Sequence, residues 1–129
     1  MALFLLDTSV CVDILRGRVP SATLPPVGQC CLSAIVTAEL RTGLAKSPAN
    51  PVRLRKLADF VSLFAIRDFD DAAARHYAEI RADLERRGIA IGPLDLLIAA
   101  HARSLDATLV TGNVKEFRRV KTLKVLPWR

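Results

Sequence analysis

The chain has 129 residues, of which 51% are hydrophobic and 25% are charged. This composition excludes wholesale disorder, and the length suits a single domain, residues 1–129, with one core. The formal charge is +6, and each half carries +3: seven cations against four acids in residues 1–64, and twelve against nine in residues 65–129. A positive charge spread in this way favours a polyanionic partner, or it serves only to keep the protein soluble.

Cysteine usage and hydropathy indicate a cytoplasmic protein. Three cysteines, an odd number, argue against a disulfide framework and predict small buried thiols in a reducing compartment. The apolar residues 2–6 have no basic segment before them, so we expect no secretory signal peptide. The longest uncharged run, residues 19–38, contains three prolines, which favours loop, strand and helix over a membrane span.

Short apolar runs alternate with helical patterns along the chain. The runs predict strands at residues 3–6, 29–32, 63–66, 108–110 and 124–126. Helical spacing predicts helices over residues 8–17, 33–44, 51–62, 70–87 and 93–105 and a helical turn at 115–119, with a Pro-rich loop at 18–28. The expected N-terminal caps are Thr8 or Ser9, then Ser33 and Asp70. This alternation predicts a three-layer α/β/α domain whose central, mainly parallel sheet has about five short strands.

Three acids stand isolated in apolar sequence near predicted strand ends or helix starts. Asp7 follows the first strand, Glu39 lies in the second turn of its helix, and Asp95 lies in the first turn after Pro93. A helix cap would explain Asp7, and the helix dipole would explain Asp95. In parallel sheets, however, ligand sites form beyond the carboxyl ends of the strands, and carboxylates that converge there repel unless a cation neutralises them. Mg²⁺, or Mn²⁺ in its place, prefers such oxygen ligands.

Other chemistries have less support in the sequence. There are two histidines, and His101 lies on the apolar face of its helix, which predicts a packed core residue rather than part of a metal-free two-histidine site. No phosphate-loop or dinucleotide-binding glycine motif, zinc-type Cys/His spacing or Gly-x-Ser-x-Gly elbow occurs. A receiver-type signalling module is a weaker alternative, since acids also follow the third strand but Asp7 has no acidic neighbour.

Four segments carry short motifs in series. They are Leu-Leu-Asp-Thr-Ser at 5–9, Ser-Ala-Ile-Val-Thr-Ala-Glu-Leu-Arg-Thr-Gly at 33–43, Leu-Asp-Leu-Leu-Ile-Ala-Ala-His-Ala at 94–102, and Ala-Thr-Leu-Val-Thr-Gly-Asn at 107–113. In this order and spacing, which spans essentially the whole chain, the sequence resembles the PIN-domain ribonucleases. More closely, it resembles the toxin half of VapBC toxin–antitoxin pairs.

The resemblance implies an endoribonuclease dependent on Mg²⁺ or Mn²⁺. Asp7, Glu39 and Asp95 match its three core acids, with Asp7 and Asp95 as the principal metal ligands. Asn113 takes the place of a frequent fourth acid, and Glu116 follows three residues later, which leaves open whether one or two metals bind. The residues that match supporting hydroxyl positions are Thr8, Ser9 and Thr111.

The resemblance also implies hydrolysis of RNA phosphodiesters by metal-activated water, inhibition by a cognate antitoxin, and a toxin homodimer. Promoter DNA is expected to be contacted only through the antitoxin, and no membrane is involved. The candidate RNA phosphate contacts flank the motifs and are Arg16, Arg18, Lys115, Arg118 and Arg119. The neutral side chain of Asn113 keeps an alternative open: a catalytically weak PIN-like module that binds RNA or protein.

Overall fold

The computed structural model describes residues 2–19 and 24–128. Its strands are β1 (Phe4–Leu6), β2 (Cys30–Ser33), β3 (Ala65–Arg67), β4 (Thr108–Thr111) and β5 (Lys124–Pro127). Its helices are α1 (Thr8–Leu15), α2 (Ala34–Ala45), α3 (Pro51–Val61), α4 (Asp71–Arg86), α5 (Pro93–Ser104) and α6 (Val114–Phe117). A 3-10 turn, Val27–Gln29, ends the predicted Pro-rich loop, of which residues 20–23 lie outside the described part.

The strands form one parallel sheet in the order β3-β2-β1-β4-β5, which confirms the predicted α/β architecture. The chain runs outward from β1 to β3 and then returns to the other side of β1 for β4 and β5. This reversal makes the space between β1 and β4 the topological switch point, where a crevice opens beyond the strand ends. Asp7 follows β1 directly, and Thr111 ends β4.

The core lies around the three inner strands. Leu5, Leu6, Leu32 and Leu109 are fully buried in the sheet, and helices cover them with side chains such as Ile98. The expectation that every strand is a covered apolar run is wrong for β3 and β5. All three residues of β3 are exposed, and β5 is mostly exposed, because these strands form the two edges of the sheet.

The helix starts agree with the sequence except at α1. Asp7, rather than Thr8 or Ser9, caps α1: its Oδ1 accepts a hydrogen bond from the Thr8 amide at 2.8 Å. The Ser33 and Asp70 caps are confirmed, since their side chains accept from the amides of Ile35 and Ala73, each at 3.0 Å. Among the described residues, no helix has the length and apolar character needed to cross a membrane.

The predicted buried roles of the cysteines and of His101 are confirmed. All three thiols are free and buried, and burial raises the pKa of Cys31 to about 11. His101 is fully buried, its Nδ1 lies 2.7 Å from Ser33 Oγ, and its ring meets Phe69 edge-on at 5.5 Å. Burial also lowers the pKa of His101, so its imidazole is neutral at pH 7 and packs as a core residue.

Candidate active site

Asp7 lies at the centre of a hydrogen-bonded cluster at the switch point. It is almost fully buried, since only 4% of its surface is exposed. Its Oδ2 accepts hydrogen bonds from Thr111 Oγ1 at 2.6 Å and from Ser9 Oγ at 3.0 Å, while Oδ1 accepts from the Thr8 amide. These donors come from both β4 and α1, so the carboxyl group is held in one orientation across the crevice.

Glu39 joins this cluster through Thr8. The Thr8 hydroxyl donates to Glu39 Oε1 at 2.7 Å, which ties the start of α1 to the second turn of α2. Glu39 itself is half-buried, next to the buried Leu40. Because Thr8 is the residue next to Asp7, this bond brings the second predicted acid to the first.

Asp95 and Glu116 form the other side of the crevice. Asp95 lies in the first turn of α5, just after Gly92, and Glu116 Oε1 accepts a hydrogen bond from the Gly92 amide at 2.8 Å. A Cβ atom placed on Gly92 would lie 3.5 Å from Asp95 Oδ2 and 3.8 Å from Glu116 Oε1. Both carboxyl groups therefore lie close to this glycine, on the same side of its backbone.

Asn113 acts on this pair through Glu116. Its Nδ2 donates to Glu116 Oε2 at 2.6 Å, and its own amide donates to Thr111 Oγ1 at 2.9 Å. The amide side chain thus orients a carboxylate rather than adding one. Glu116, whose sequence position suggested only a supporting role, supplies the fourth carboxyl group beside Asp95.

Within the cluster, the effects of burial and of neighbouring charge are clearest in the pKa of Asp95. Burial, followed by the charges of Asp7 and Glu116, raises the pKa of Asp95 from 3.8 to about 7; a hydrogen bond to Glu116 and the charge of Glu39 add to the effect. The pKa of Glu116 is lowered, first by the Gly92 amide and then by Asn113. Near neutral pH the proton shared by this pair therefore belongs to Asp95, and Glu116 stays ionised.

The donor set suits a hard divalent cation, although its side chains are engaged with one another. All four acids offer oxygen ligands, which Mg²⁺ and Mn²⁺ prefer, and the raised pKa of Asp95 reflects burial and then negative charge that a cation would neutralise. Within residues 2–19 and 24–128, no three His, Cys, Asp or Glu side chains already stand as a metal-binding group. The hydrogen bonds described above hold these carboxyls in other contacts.

The predicted RNA-binding cations lie in two parts of the chain, after α1 and around α6. Arg16 and Arg18 follow α1, and Lys115 and Arg118 belong to or follow α6; all four are exposed. Arg119 differs from them, because its Nη1 donates to the Ala90 carbonyl at 2.9 Å and so anchors the segment before α5.

Two cations near Glu39 were missed by sequence reasoning. Arg53 and Lys56 of α3 line a cavity together with Arg16, Thr8 and Glu39. Their spacing of three residues places them on one face of α3. That spacing was visible in the sequence, but nothing local to α3 indicates that it packs beside α1.

The comparisons with known proteins identify the family of this chain. The PIN domain model matches residues 4–123. The chain is 37% identical to a tRNA(fMet)-specific endonuclease VapC from Shigella flexneri, over 99% of each chain, and 38% identical to ribonuclease VapC2 from Rickettsia felis, over 98% of each. A crystal structure of VapBC2 from Rickettsia felis, bound to a DNA fragment from its promoter, superposes with a TM-score of 0.87 at 35% identity and covers 98% of this chain and 99% of its own.

These matches identify the chain first as a PIN-fold protein and then as a member of a narrower group within that fold. The chain belongs to the PIN domain family and, within it, to the VapC ribonucleases of VapBC toxin–antitoxin systems.

Proposed function

We propose that this chain is the endoribonuclease toxin of a type II toxin–antitoxin pair, and that it hydrolyses RNA phosphodiesters with the help of Mg²⁺ or Mn²⁺. The observation that carries the proposal is the convergence of four carboxyl groups at the switch point, where burial and then the neighbouring acids raise the pKa of Asp95 to about 7. Membership in the VapC ribonucleases supports the nuclease activity, and the all-oxygen donor set supports the metal.

Asp7, Asp95 and Glu39 would hold the metal, with Glu116 as a further carboxylate beside Asp95. When bound, such an ion neutralises these charges and supplies a Lewis acid that activates water and a phosphoryl oxygen. Asp95 must give up the proton that it holds near neutral pH, because its ionised oxygens are the better ligands. Activity is then expected to rise as the pH increases through the titration of this group.

The remaining polar residues of the site orient these carboxyls. Thr111 and Ser9 fix Asp7 Oδ2, and Thr8 fixes Glu39 Oε1. Asn113 holds Glu116, which in turn binds the amide before α5. Each therefore acts by position, and its loss should reduce turnover less than the loss of Asp7 or Asp95.

The RNA would reach this site along its positive margins. Arg16, Arg18, Lys115 and Arg118 are exposed and are our candidates for phosphate contacts, which position a strand without reading its sequence. Nη1 of Arg119 is already bound to the Ala90 carbonyl, so only the rest of its guanidinium is a candidate for a phosphate contact. The Shigella flexneri relative is named for tRNA(fMet), so initiator tRNA is the first substrate that we propose.

A cleavage assay tests the proposal. Purified protein should cut initiator tRNA with Mg²⁺ or Mn²⁺ and should stop when EDTA is added. Asp7→Ala, Glu39→Ala and Asp95→Ala should each lose most of the activity and remain folded, whereas the matched control Asp59→Ala, at an exposed acid on α3, should cut normally. Full activity in EDTA would refute the metal-dependent mechanism.

The partner is proposed to be an antitoxin that carries the promoter-binding function, since the Rickettsia felis VapBC2 complex is bound to promoter DNA. We expect its C-terminal segment to place an Arg or Lys against Asp7, Glu39 and Asp95, in competition with the metal. Deletion of that segment should restore cleavage; an antitoxin that still inhibits fully without it would contradict this account. We also propose a cytoplasmic toxin homodimer, which light scattering can test.

One observation bears on the alternative of a catalytically weak binding module. That alternative depended on the neutral Asn113, but Glu116 brings a carboxylate to the same place. RNA binding without any metal-dependent cleavage would favour the binding module over the enzyme.

A further inference from the structure

A cavity of about 320 Å³ lies between α1, α2 and α3, directly beside the proposed catalytic acids. Thr8 and Glu39, joined by their 2.7 Å hydrogen bond, belong to its wall. The buried Leu40 and Leu57 also line it, whereas its cationic lining residues are exposed. The cavity therefore has an aliphatic interior, a cationic margin and an end that opens at the active site.

Among the residues that the structure describes, no ion pair neutralises the three cations at this cavity. In the described part of the chain, Arg16, Arg53 and Lys56 have no carboxylate within 4.0 Å, and Arg53 donates only to the Ser47 hydroxyl, at 3.2 Å. Eight other cations of the described residues form ion pairs, and seven of these come after residue 70: in α4 or directly after it, in α5, before β5 and in β5.

One cation of α3, Arg55, does form an ion pair, and it is not among the cations that line the cavity. Arg55 lies between Arg53 and Lys56 in sequence, points to another side of the helix, and pairs with Asp59 at 3.2 Å. One helix thus carries a neutralised cation away from the cavity and two unneutralised cations at it. Charge at the cavity is left available to an anionic ligand.

A glycine in the cavity wall keeps the space open. Gly43 lies inside the last turn of α2, where glycine is the least favourable residue after proline, and its φ is not positive. A Cβ atom added there would meet nothing within 4 Å, so packing within the chain does not require glycine. Any larger side chain at position 43 would occupy the cavity.

We propose that this cavity is a nucleotide subsite for single-stranded RNA next to the cleaved phosphodiester. The base of a flanking nucleotide lies against the aliphatic interior over Gly43, and its phosphate is held by Arg53 and Lys56, with Arg16 on the opposite margin. The proposal deepens the ribonuclease function and rests on it. A polyanion is favoured over an apolar peptide because three cations face the cavity, and Glu39, the one acid among its described lining residues, is already hydrogen-bonded.

Equilibrium binding of a fluorescein-labelled single-stranded RNA of mixed sequence tests the subsite, with EDTA present so that cleavage does not contribute. The double variant Arg53→Ala/Lys56→Ala should weaken binding about tenfold, the equivalent of one hydrogen bond to a charged group. Its salt dependence should also fall, by about 0.7 in the slope of log K against log salt for each RNA phosphate that the variant no longer neutralises. Arg55→Ala is the matched control and should bind as the wild type does.

Gly43→Leu tests the interior of the cavity. It should weaken RNA binding more than Gly43→Ala, which adds only a Cβ, and thermal melts should show both variants folded. If Arg55→Ala weakens binding as much as the double variant, the contribution is diffuse charge and the subsite is wrong. If Gly43→Leu binds RNA normally, no base enters the cavity, and the subsite is equally wrong.

The same variants separate this inference from the ribonuclease proposal and from a peptide-binding role. Wild-type protein that binds RNA through Arg53 and Lys56 but never cleaves it would sustain the subsite and refute the enzyme. Wild-type protein that cleaves, with unaltered RNA binding in all variants, would refute the subsite alone. Variants that bind RNA normally but no longer bind the antitoxin used in the inhibition test would assign the cavity to a peptide instead.

Discussion

Replacement of Asp95 by asparagine tests whether the acids at the switch point repel one another. The pKa of Asp95 is raised from 3.8 to about 7, first by burial and then by the charges of Asp7 and Glu116. A shift of one unit corresponds to about 1.4 kcal/mol, so the ionised carboxylate costs the fold at most roughly 4 kcal/mol. Asp95 is only half-buried, and solvent screening should reduce this to about 1–2 kcal/mol.

The sign of the pH dependence follows from which state binds the proton more tightly. The folded protein protonates Asp95 at a higher pH than the unfolded chain does, so stability is fully present below pH 3.8 and is lost as the pH rises through about 7. Asp95→Asn removes this loss. Its stability relative to the wild type should therefore increase across that window and stay constant at higher pH.

Thermal melts in EDTA at about pH 5 and pH 8 measure the difference. We expect Asp95→Asn to melt higher than the wild type at pH 8, by roughly 4 °C for each kcal/mol, and to gain less at pH 5. Asp71→Asn is the matched control, because Asp71 is an exposed acid in the first turn of α4 and should show no such trend. If Asp95→Asn melts lower at pH 8, Asp95 mainly stabilises the start of α5, and the repulsion argument fails.

Four further predictions concern the same cluster. Saturation with Mg²⁺ should stabilise the wild type by about 2.7 kcal/mol at 100 times its Kd, and Asp95→Asn should gain less; equal gains would remove Asp95 from the metal site. Thr111→Val should cost about 1–3 kcal/mol in urea unfolding, because the buried Asp7 Oδ2 loses its 2.6 Å donor. Glu116→Gln should bring the pKa of Asp95 part of the way back toward 3.8 in a carboxyl NMR titration, since burial remains; an unchanged pKa would assign the whole shift to burial and Asp7. Asn113→Ala should raise the pKa of Glu116 in the same titration, whereas Asn50→Ala, at a cap on α3, should not.

The sequence predicts the sheet well because its strands depend on local pattern. Apolar runs that end in a polar residue define β1, β2 and β4, and parallel pairing then brings their carboxyl ends together. The pattern is weaker for β3, which begins at Ala65 rather than residue 63, because Phe64 turns into the core at the end of α3 and is 9% exposed. At α1 the sequence offers both Asp7 and the hydroxyl residues at 8 and 9 as caps, and the structure places Asp7 in that position.

Contacts between residues far apart in the sequence determine the parts of the site that local sequence patterns do not indicate. The bond from Thr8 to Glu39 joins residues 31 apart, and the bond from Gly92 to Glu116 joins residues 24 apart. Arg53 and Lys56 line the cavity beside the crevice only because α3 packs beside α1 and α2. No local spacing specifies these contacts, since each depends on how two helices lie on the sheet.

Glu116 reaches the site from a position three residues after Asn113, the residue that matches a frequent fourth acid. Asn113 precedes α6, and Glu116 lies in its first turn. Side chains on a helix tilt toward its N-terminus, so Glu116 extends back over Asn113 toward the start of α5. There the Gly92 amide and Asn113 Nδ2, at 2.8 and 2.6 Å, stabilise its ionised form. The charge that results lies beside Asp95 and, after burial and the charge of Asp7, raises the pKa of that group. We propose that Glu116 supplies the fourth carboxylate of the site, with Asn113 as its anchor.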